Sequence, residues 1–276
     1  MKIKGTCEDK FIEVKELFTD LHKSEREVGS SYAVYKDGKP VVDIWGGYCD
    51  KDLKKEWSRD TLATVWSTTK GVAAITLAHA YENDLFDYEE KVAKYWPEFG
   101  CNGKEDITVG MLLSHQAGIC GSSANKVEDY YNQKIMADEL AKMAPLWEPG
   151  TASGYHSMTY GWLTSELMLR ITGKTLGRYF REEIADSNEI DFYIGLPDDE
   201  EFRVAEMIPF PKESNESKSH PNEAQKASGQ GPNLLKHQNT EFSFYTGMFD
   251  FSDDGKRSTL IGFQHQNENL NRDTFL

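Results

Sequence analysis

The sequence has no apolar run that is long enough to cross a membrane. About eighteen consecutive apolar residues mark a membrane span, and no run in this chain approaches that length. The first ten residues, MKIKGTCEDK, contain no apolar signal region and do not resemble a basic, acid-poor transit peptide. We therefore expect a soluble protein of the cytoplasm, with no membrane partner.

Basic residues are outnumbered along this chain of 276 residues. There are 31 Lys and Arg against 46 Asp and Glu, which gives a formal charge of −15. A surface of this sign repels the phosphates of nucleic acids and of anionic lipids. We therefore expect no nucleic acid among the partners of this protein.

Cysteine is scarce, and the motifs of several enzyme classes are missing. The four cysteines form no Cys-x-x-Cys pair, so we expect free thiols rather than a metal or redox site. There is no Gly-x-Ser-x-Gly elbow, no His-Glu-x-x-His and no phosphate-binding glycine loop with a lysine. The sequence therefore predicts neither a metal nor a cofactor.

A Ser-x-x-Lys motif lies at the start of an apolar stretch. Ser67 and Lys70 are three residues apart, and residues with this spacing share one face of a helix. The run from Val72 to Ala78 has helical length, and serine is a preferred N-terminal cap. The spacing predicts that the Ser67 hydroxyl and the Lys70 amine meet where a buried helix begins. A lysine accepts the proton of a serine only where its surroundings favour the neutral amine.

The same spacing also has a purely structural interpretation. Ser67 would then only cap the helix, and Lys70 would be a solvated helix residue. A second copy of the motif, Ser123 to Lys126, lies in a polar loop. Only the first copy begins an apolar helix after a pair of predicted strands, so the context favours Ser67 as the reactive serine.

The N-terminal part of the chain predicts one helix followed by a β-hairpin. Residues 8–28 have the spacing of an amphipathic helix that ends at Gly29. Residues 31–36 and 40–48 are rich in strand-forming side chains, and Asp37-Gly38 between them is a strong hairpin signal.

The middle of the chain predicts several helices. We expect them over 107–118, 127–143 and 158–171, with a short helix that stops near Pro97. His115 lies near the end of the first of these, where a structural role at the helix terminus is favoured over a role as catalytic base.

Tyr155 and Ser157 immediately precede the helix predicted over 158–171. A tyrosine at such a position usually packs, with its hydroxyl bonded nearby. Beside a buried lysine, however, its hydroxyl becomes a candidate base, because a positive charge favours phenolate. Ser157 would then supply a hydrogen-bonding group in the same cleft.

These segments follow an order that resembles a known family. Ser67-Thr-Thr-Lys70 precedes Leu112-Leu-Ser-His-Gln-Ala-Gly118, which precedes Trp147-Glu-Pro-Gly and then Tyr155-His-Ser157. The set is similar to the serine β-lactamase-related family of class C β-lactamases, DD-peptidases, β-lactamase-like carboxylesterases and animal β-lactamase-like proteins. Its details most resemble the esterase-like and animal branches. The resemblance covers about residues 8–210 and implies a transpeptidase-like α/β fold, in which helices flank an antiparallel sheet beside a helical region.

The resemblance implies a role for each matched residue. Ser67 matches the nucleophile that is acylated, and Lys70 matches the lysine that shares its proton. Tyr155 matches the tyrosine that acts as base and then protonates the leaving group. Ser157 stands where many members have Asn, a departure shared by the esterase-like members, and would bind substrate. The implied function is hydrolysis of a small-molecule ester or amide through an acyl-serine intermediate, without metal or cofactor.

The C-terminal part departs from the family pattern. The third family motif is Lys/His-x-Gly on a strand, and the candidate here, His265-Gln-Asn, lacks the glycine. We expect a β-lactamase-related domain over 1–208, a polar linker or loop over 209–240, and a short hairpin with a polar tail over 241–276. The sheet would then be incomplete at its C-terminal end. The family takes one oxyanion donor from the third-motif strand, so its absence predicts weak turnover. An uncovered sheet edge predicts self-association or a partner chain.

Three functions remain open at the level of sequence. The first is the serine hydrolase, with His265 and Ser157 contacting substrate. The second is a catalytically weak or inactive relative that acts as a binding or assembly protein. The third is an interaction domain unrelated to the family. Convergence of Ser67, Lys70 and Tyr155 in space would argue against the third.

Overall fold

The computed structural model describes residues 2–122 and 127–208. They form two compact units, the first made of residues 2–65 and 197–208, and the second made of the other described residues. The predicted linker over 209–240, the predicted hairpin and tail over 241–276, His265 and the second Ser-x-x-Lys motif lie outside the described residues.

A three-stranded antiparallel sheet organises the first unit. Its elements are β1 (Lys4–Cys7), α1 (Ile12–Lys23), β2 (Gly29–Lys36) and β3 (Lys39–Gly47), with the strand order β1-β3-β2. Asp37 and Gly38 connect β2 to β3 with φ angles of 50° and 74°, as a two-residue hairpin turn requires. The prediction of this hairpin is confirmed.

The core of the first unit lies between α1 and the sheet. Phe18 of α1 packs with Val41, Val42 and Ile44 of β3, and all four side chains are buried. Burial of a side chain of this size contributes about 1.5–3 kcal/mol. One face of α1 therefore packs on the sheet.

Two predictions for the first unit were wrong in detail. The helix expected over 8–28 is shorter, because residues Asp9–Phe11 form a 3₁₀ turn before Ile12 and Glu25 adopts a left-handed conformation after Lys23. Gly29 is the first residue of β2 and not the end of the helix. A Cβ atom at Gly29 would lie 2.0 Å from the Tyr48 carbonyl oxygen, so this strand pair needs glycine there.

The second unit is helical in the part that the structure describes. Its helices are α2 (Thr69–Glu82), α3 (Val92–Tyr95), α4 (Val109–Leu113), α5 (Gln133–Lys142), α6 (Thr159–Thr172) and α7 (Leu176–Phe180). The helix predicted over 158–171 is confirmed as α6, and it ends at Gly173 with φ 72°. The short helix before Pro97 is confirmed as α3.

Helix α6 is the centre of the second unit. It packs against α2, α3, α4, α5 and α7, and the ten residues from Thr159 to Met168 are all buried. Leu77 of α2, Leu112 of α4 and Leu140 of α5 belong to the same core. The start of α6 is thereby fixed relative to α2, which sets the position of the segment that precedes α6.

Two helices of the second unit are shorter than the sequence predicts. Thr108 caps α4 by accepting a hydrogen bond from the Met111 N–H, and the left-handed conformation of His115 stops the chain from continuing the helix. The segment 127–143 divides into a 3₁₀ turn, Val127–Tyr131, and α5, because Asn132 caps α5 through the Ile135 N–H.

Candidate active site

Ser67 lies immediately before α2, in the 3₁₀ turn Trp66–Thr68. It does not cap the helix, because Thr68 occupies the N-cap position and no side chain makes a capping hydrogen bond there. This corrects the structural interpretation of Ser67. The hydroxyl is instead exposed at the positive end of a helix of 14 residues.

The residue before Ser67 has an unusual backbone conformation. Trp66 adopts φ 49°, and its side chain is 46% exposed. A bulky residue in the left-handed region costs on the order of 1–3 kcal/mol, and such residues cluster at functional sites. The strained turn presents Ser67 to solvent at the start of α2.

Lys70 connects Ser67 to a distant segment of the chain. Its Nζ donates hydrogen bonds to the Ser67 Oγ at 3.2 Å and to the backbone carbonyl of Ser157 at 2.8 Å. Lys70 is half-buried, whereas Ser67 is exposed. The amine therefore has a fixed position next to the one hydroxyl that the motif predicted.

Tyr155 lies beside the Lys70 amine. The Lys70 Nζ is 5.1 Å from the centre of the Tyr155 ring, and the Tyr155 side chain is 46% exposed. Its hydroxyl makes no hydrogen bond to another residue within the described ranges. The structure thus brings Ser67, Lys70 and Tyr155 together, although 85 residues separate Lys70 from Tyr155 in the sequence.

Ser157 contacts the site through its backbone. The sequence predicted a hydrogen bond from its side chain in the cleft, but the group that Lys70 contacts is the main-chain carbonyl. The Ser157 N–H donates to the Tyr155 carbonyl at 3.1 Å, which keeps the short segment compact. His265, the other predicted substrate-binding residue, lies outside the described residues.

Two histidines that the sequence did not assign to the site hold the Tyr155 segment. His115 accepts a hydrogen bond at Nδ1 from the His156 N–H, at 3.1 Å, and its carbonyl accepts from the Gly154 N–H at 3.0 Å. Its ring lies 5.1 Å from the Tyr155 ring. The predicted structural role of His115 is therefore exerted on the Tyr155 segment and not on the end of α4.

His156 is completely buried beside the same loop. Its Nε2 lies 3.1 Å from the Ile119 nitrogen and its Nδ1 lies 2.7 Å from the Gly154 oxygen. Burial lowers the pKa of His156 from 6.5 to about 4, and burial together with the Lys70 charge lowers the pKa of His115. Both rings are therefore neutral at pH 7.

The sequence carried a weak signal for these histidines. His115 lies within Ser-His-Gln-Ala-Gly and His156 lies between Tyr155 and Ser157, each in a loop that adjoins a predicted helix. Polar residues in such loops are candidates for function. Their mutual contact spans 41 residues, and local spacing cannot predict a contact of that length.

The described residues include no arrangement suited to a metal ion. Within 2–122 and 127–208, no group of three or more His, Cys, Asp or Glu side chains is placed to hold one. In the same ranges no helix is both long and apolar enough to span a bilayer.

Comparison with known proteins identifies the relatives of this chain. A family model described as Beta-lactamase matches residues 14–235. The chain is 38% identical over 209 residues to the Esterase/beta-lactamase LipL of Mycobacterium tuberculosis, across 75% of this chain and 48% of that protein.

Two solved structures share the fold of the described residues. A family VIII carboxylesterase is 42% identical, with a TM-score of 0.72 over 76% of this chain and 58% of that chain. A penicillin-binding protein homologue from Caulobacter crescentus is 37% identical, with a TM-score of 0.73 over 84% of this chain and 62% of that chain. The chain therefore has the predicted transpeptidase-like fold. It spans about half to three fifths of the length of these relatives.

Proposed function

The chain belongs to the beta-lactamase family, and we propose that it is a serine hydrolase that cleaves a small-molecule ester or amide through an acyl-serine intermediate. The observation that carries the proposal is the hydrogen bond of 3.2 Å between the Lys70 amine and the Ser67 hydroxyl. A serine becomes a useful nucleophile when a proton acceptor lies within hydrogen-bond reach. Ser67 is also exposed, so that a substrate carbonyl can approach it.

The first half of the proposed reaction acylates Ser67. The Ser67 Oγ attacks the substrate carbonyl carbon while its proton passes to Lys70 in the neutral form, or to Tyr155 as phenolate. The tetrahedral intermediate then expels the alcohol or amine, which takes the proton back. In this scheme the Ser67 N–H and the positive end of α2 stabilise the negative charge that develops on the carbonyl oxygen.

The second half of the proposed reaction releases the acid. Water attacks the acyl-serine carbonyl, the Lys70 and Tyr155 pair accepts a proton from the water, and the same proton returns to the Ser67 Oγ. Tyr155 suits both halves because its exposed ring lies beside the Lys70 amine. No metal or cofactor takes part in this scheme.

We propose esters as the main substrates. LipL is named an esterase as well as a β-lactamase, and the solved relative with 42% identity is a carboxylesterase. Ser157 in place of the Asn found in many family members favours esters over β-lactams. The proposal keeps Ser157 and His265 as substrate-binding residues and places the protein in the cytoplasm.

Labelling with a fluorophosphonate probe tests the proposal. We expect the purified full chain to be labelled on Ser67, identified by mass spectrometry of the modified peptide, and to hydrolyse p-nitrophenyl esters. Ser67→Ala should abolish both readouts, and the matched variant Ser123→Ala, which removes the serine of the second motif, should retain both.

Two outcomes would contradict this assignment. If Ser123→Ala lost labelling and ester hydrolysis to the same extent, the assignment of Ser67 as the nucleophile would be wrong. A chain that is folded but neither labelled nor active would instead support the alternative, a family member that acts as a binding or assembly protein.

A further inference from the structure

We propose that His156 is a positioning residue for Tyr155, acting through a neutral ring with the proton on Nδ1. The inference rests on the proposed function, because the position of Tyr155 matters for turnover only if Tyr155 takes part in acyl transfer. His156 itself does not touch Ser67 or Lys70 through its side chain; it connects the segment that carries Tyr155 to the loop around residues 115–119.

The two backbone partners of His156 fix its tautomer. The Ile119 N–H can only donate, so the Nε2 at 3.1 Å must be the unprotonated acceptor. The Gly154 carbonyl can only accept, so the Nδ1 at 2.7 Å must carry the proton. Because the ring is completely buried, neither nitrogen can exchange its partner for water.

A second bridge supports the first one. The His156 N–H donates to His115 Nδ1 at 3.1 Å, and the Gly154 N–H donates to the His115 carbonyl at 3.0 Å. The proton of the neutral His115 ring must therefore lie on Nε2, opposite to His156. Tyr155 lies between Gly154 and His156 in the sequence, so hydrogen bonds on both of its sides hold its backbone.

The groups around His156 explain why its ring stays neutral. From the loop that follows α4, His115 faces it at 5.3 Å between ring centres, and the Lys70 amine of α2 lies beyond His115. From α6, Tyr160 packs on His115, and from the preceding turn the Trp147 indole lies 6.4 Å from the His156 ring. No carboxylate is among these neighbours, and burial outweighs the hydrogen bond to the Gly154 carbonyl, which by itself raises the pKa of the His156 ring.

A second proton on His156 would break the bridge. It would sit on Nε2, directly opposite the Ile119 N–H, and two donors would face each other without water. The segment around Gly154 would move away from the 115–119 loop, and Tyr155 would move with it. A displacement of about 1 Å in a catalytic group can cost about 10²-fold in rate.

The kinetic test is a double-mutant cycle with Tyr155. We expect His156→Leu to lower the rate of Ser67 acylation by about 10²-fold in the native background and by less than about 10-fold in the Tyr155→Phe background. His156→Gln retains one donor and one acceptor and should recover most of the loss. The matched control is His79→Leu, which removes a histidine ring of α2 that contacts Tyr179. In this control Ser67 should be acylated at the native rate.

The result that overturns the proposal is equal loss in both backgrounds. If His156 had only a structural role, His156→Leu would lower the acylation rate equally with and without the Tyr155 hydroxyl. His156→Gln would then acylate no faster than His156→Leu.

A spectroscopic test does not depend on activity. In the native chain labelled with ¹⁵N-histidine, the His156 ring should show a protonated Nδ1 and an unprotonated Nε2 at pH 7. With 3-fluorotyrosine at position 155, the ¹⁹F signal should shift or broaden in His156→Leu relative to the native chain, and the change should be smaller in His156→Gln.

The two tests separate the inference from the proposed function. If the native chain is never acylated, the proposed function fails, and the ¹⁵N and ¹⁹F spectra still decide whether His156 positions Tyr155. A ring with its proton on Nε2, or a ¹⁹F signal that does not respond to loss of the His156 ring, would overturn the inference even in a fully active enzyme.

Discussion

The Lys70 amine donates a hydrogen bond to the Ser157 carbonyl at 2.8 Å, across 87 residues of sequence. The same amine donates to the Ser67 hydroxyl at 3.2 Å. One side chain of α2 therefore links the nucleophile candidate to the segment that carries Tyr155. Changes at either end of this link should affect the chemistry of Ser67.

Removal of the Lys70 amine should slow acylation strongly. General base catalysis contributes about 10²–10⁴-fold, so we expect Lys70→Ala to lower the fluorophosphonate labelling rate by that order. Groups that act as a unit are non-additive, and adding Lys70→Ala to Ser67→Ala should cost nothing further in ester hydrolysis. The control is Lys134→Ala, which removes an exposed lysine of α5 paired with Asp138. Labelling of Lys70→Ala at the native rate would contradict the role of this amine.

Removal of the Tyr155 hydroxyl should affect turnover and leave folding intact. Tyr155→Phe keeps the ring that packs on His115 at 5.1 Å, so the thermal unfolding midpoint should stay close to the native value. The steady-state rate with p-nitrophenyl esters should fall by about 10²-fold or more, because the group that protonates the leaving alcohol is lost. Tyr32→Phe, at an exposed tyrosine of β2, serves as the control. Unchanged turnover in Tyr155→Phe would leave the phenol without a catalytic role.

The stability of the protein should fall as the pH drops below about 6.5, in part because of His156. The unfolded chain binds a proton on this histidine near its ordinary pKa of 6.5, whereas the folded chain resists protonation down to about 4. Between these two pKa values, protons therefore favour the unfolded state. The resulting loss in the free energy of unfolding levels off below pH 4 at about 3 kcal/mol. Between pH 7.5 and 5 the loss attributable to His156 should be about 2 kcal/mol.

Urea unfolding at several pH values measures this effect. His156→Gln cannot titrate, so its free energy of unfolding should fall less steeply than that of the native chain between pH 7.5 and 5. Parallel pH profiles for the two proteins would show that His156 titrates alike in the folded and unfolded chains. Carboxylates with lowered pKa values, such as Asp50, act at lower pH and are common to both proteins.

Two glycines should respond to alanine in opposite directions. A Cβ atom at Gly71 of α2 would meet nothing within 4 Å, and Gly71→Ala should stabilise the chain by about 0.5–1 kcal/mol because alanine is the better helix former. A Cβ atom at Gly177 of α7 would lie 1.9 Å from the Ile194 carbonyl oxygen, so Gly177→Ala should destabilise the chain by about 1–3 kcal/mol or more. Chemical denaturation measures the free energy of unfolding of both variants. If Gly71→Ala were destabilising, the expectation that a Cβ atom fits at this position of α2 would be wrong.

Part of the fold and part of the site follow from short-range patterns in the sequence. The Asp37-Gly38 turn specifies the hairpin because only a few residue types accept its backbone angles. The three-residue spacing of Ser67 and Lys70 predicts that they meet, because the geometry of one helical turn is local. The apolar spacing of α6 likewise predicts a buried helix.

Local patterns did not determine where helices stop or which loops meet. The helix predicted over 107–118 ends at Leu113 because the left-handed His115 turns its carbonyl toward Gly154, 39 residues later. The sequence analysis did not predict the strand β1, because a segment of four residues carries little periodic signal. Its pairing with β3 defines it as a strand. In both cases a tertiary contact overrides local preference.

The sequence by itself determined that Ser67 and Lys70 lie together, because a spacing of three residues along one helical turn fixes their separation. Only the tertiary structure decided that Tyr155 joins this pair and that His115 and His156 hold it there. Burial of α6 against α2 and α4 brings its first turn beside the start of α2. Backbone groups of the two loops then select a neutral tautomer for each histidine, and no local spacing encodes that choice.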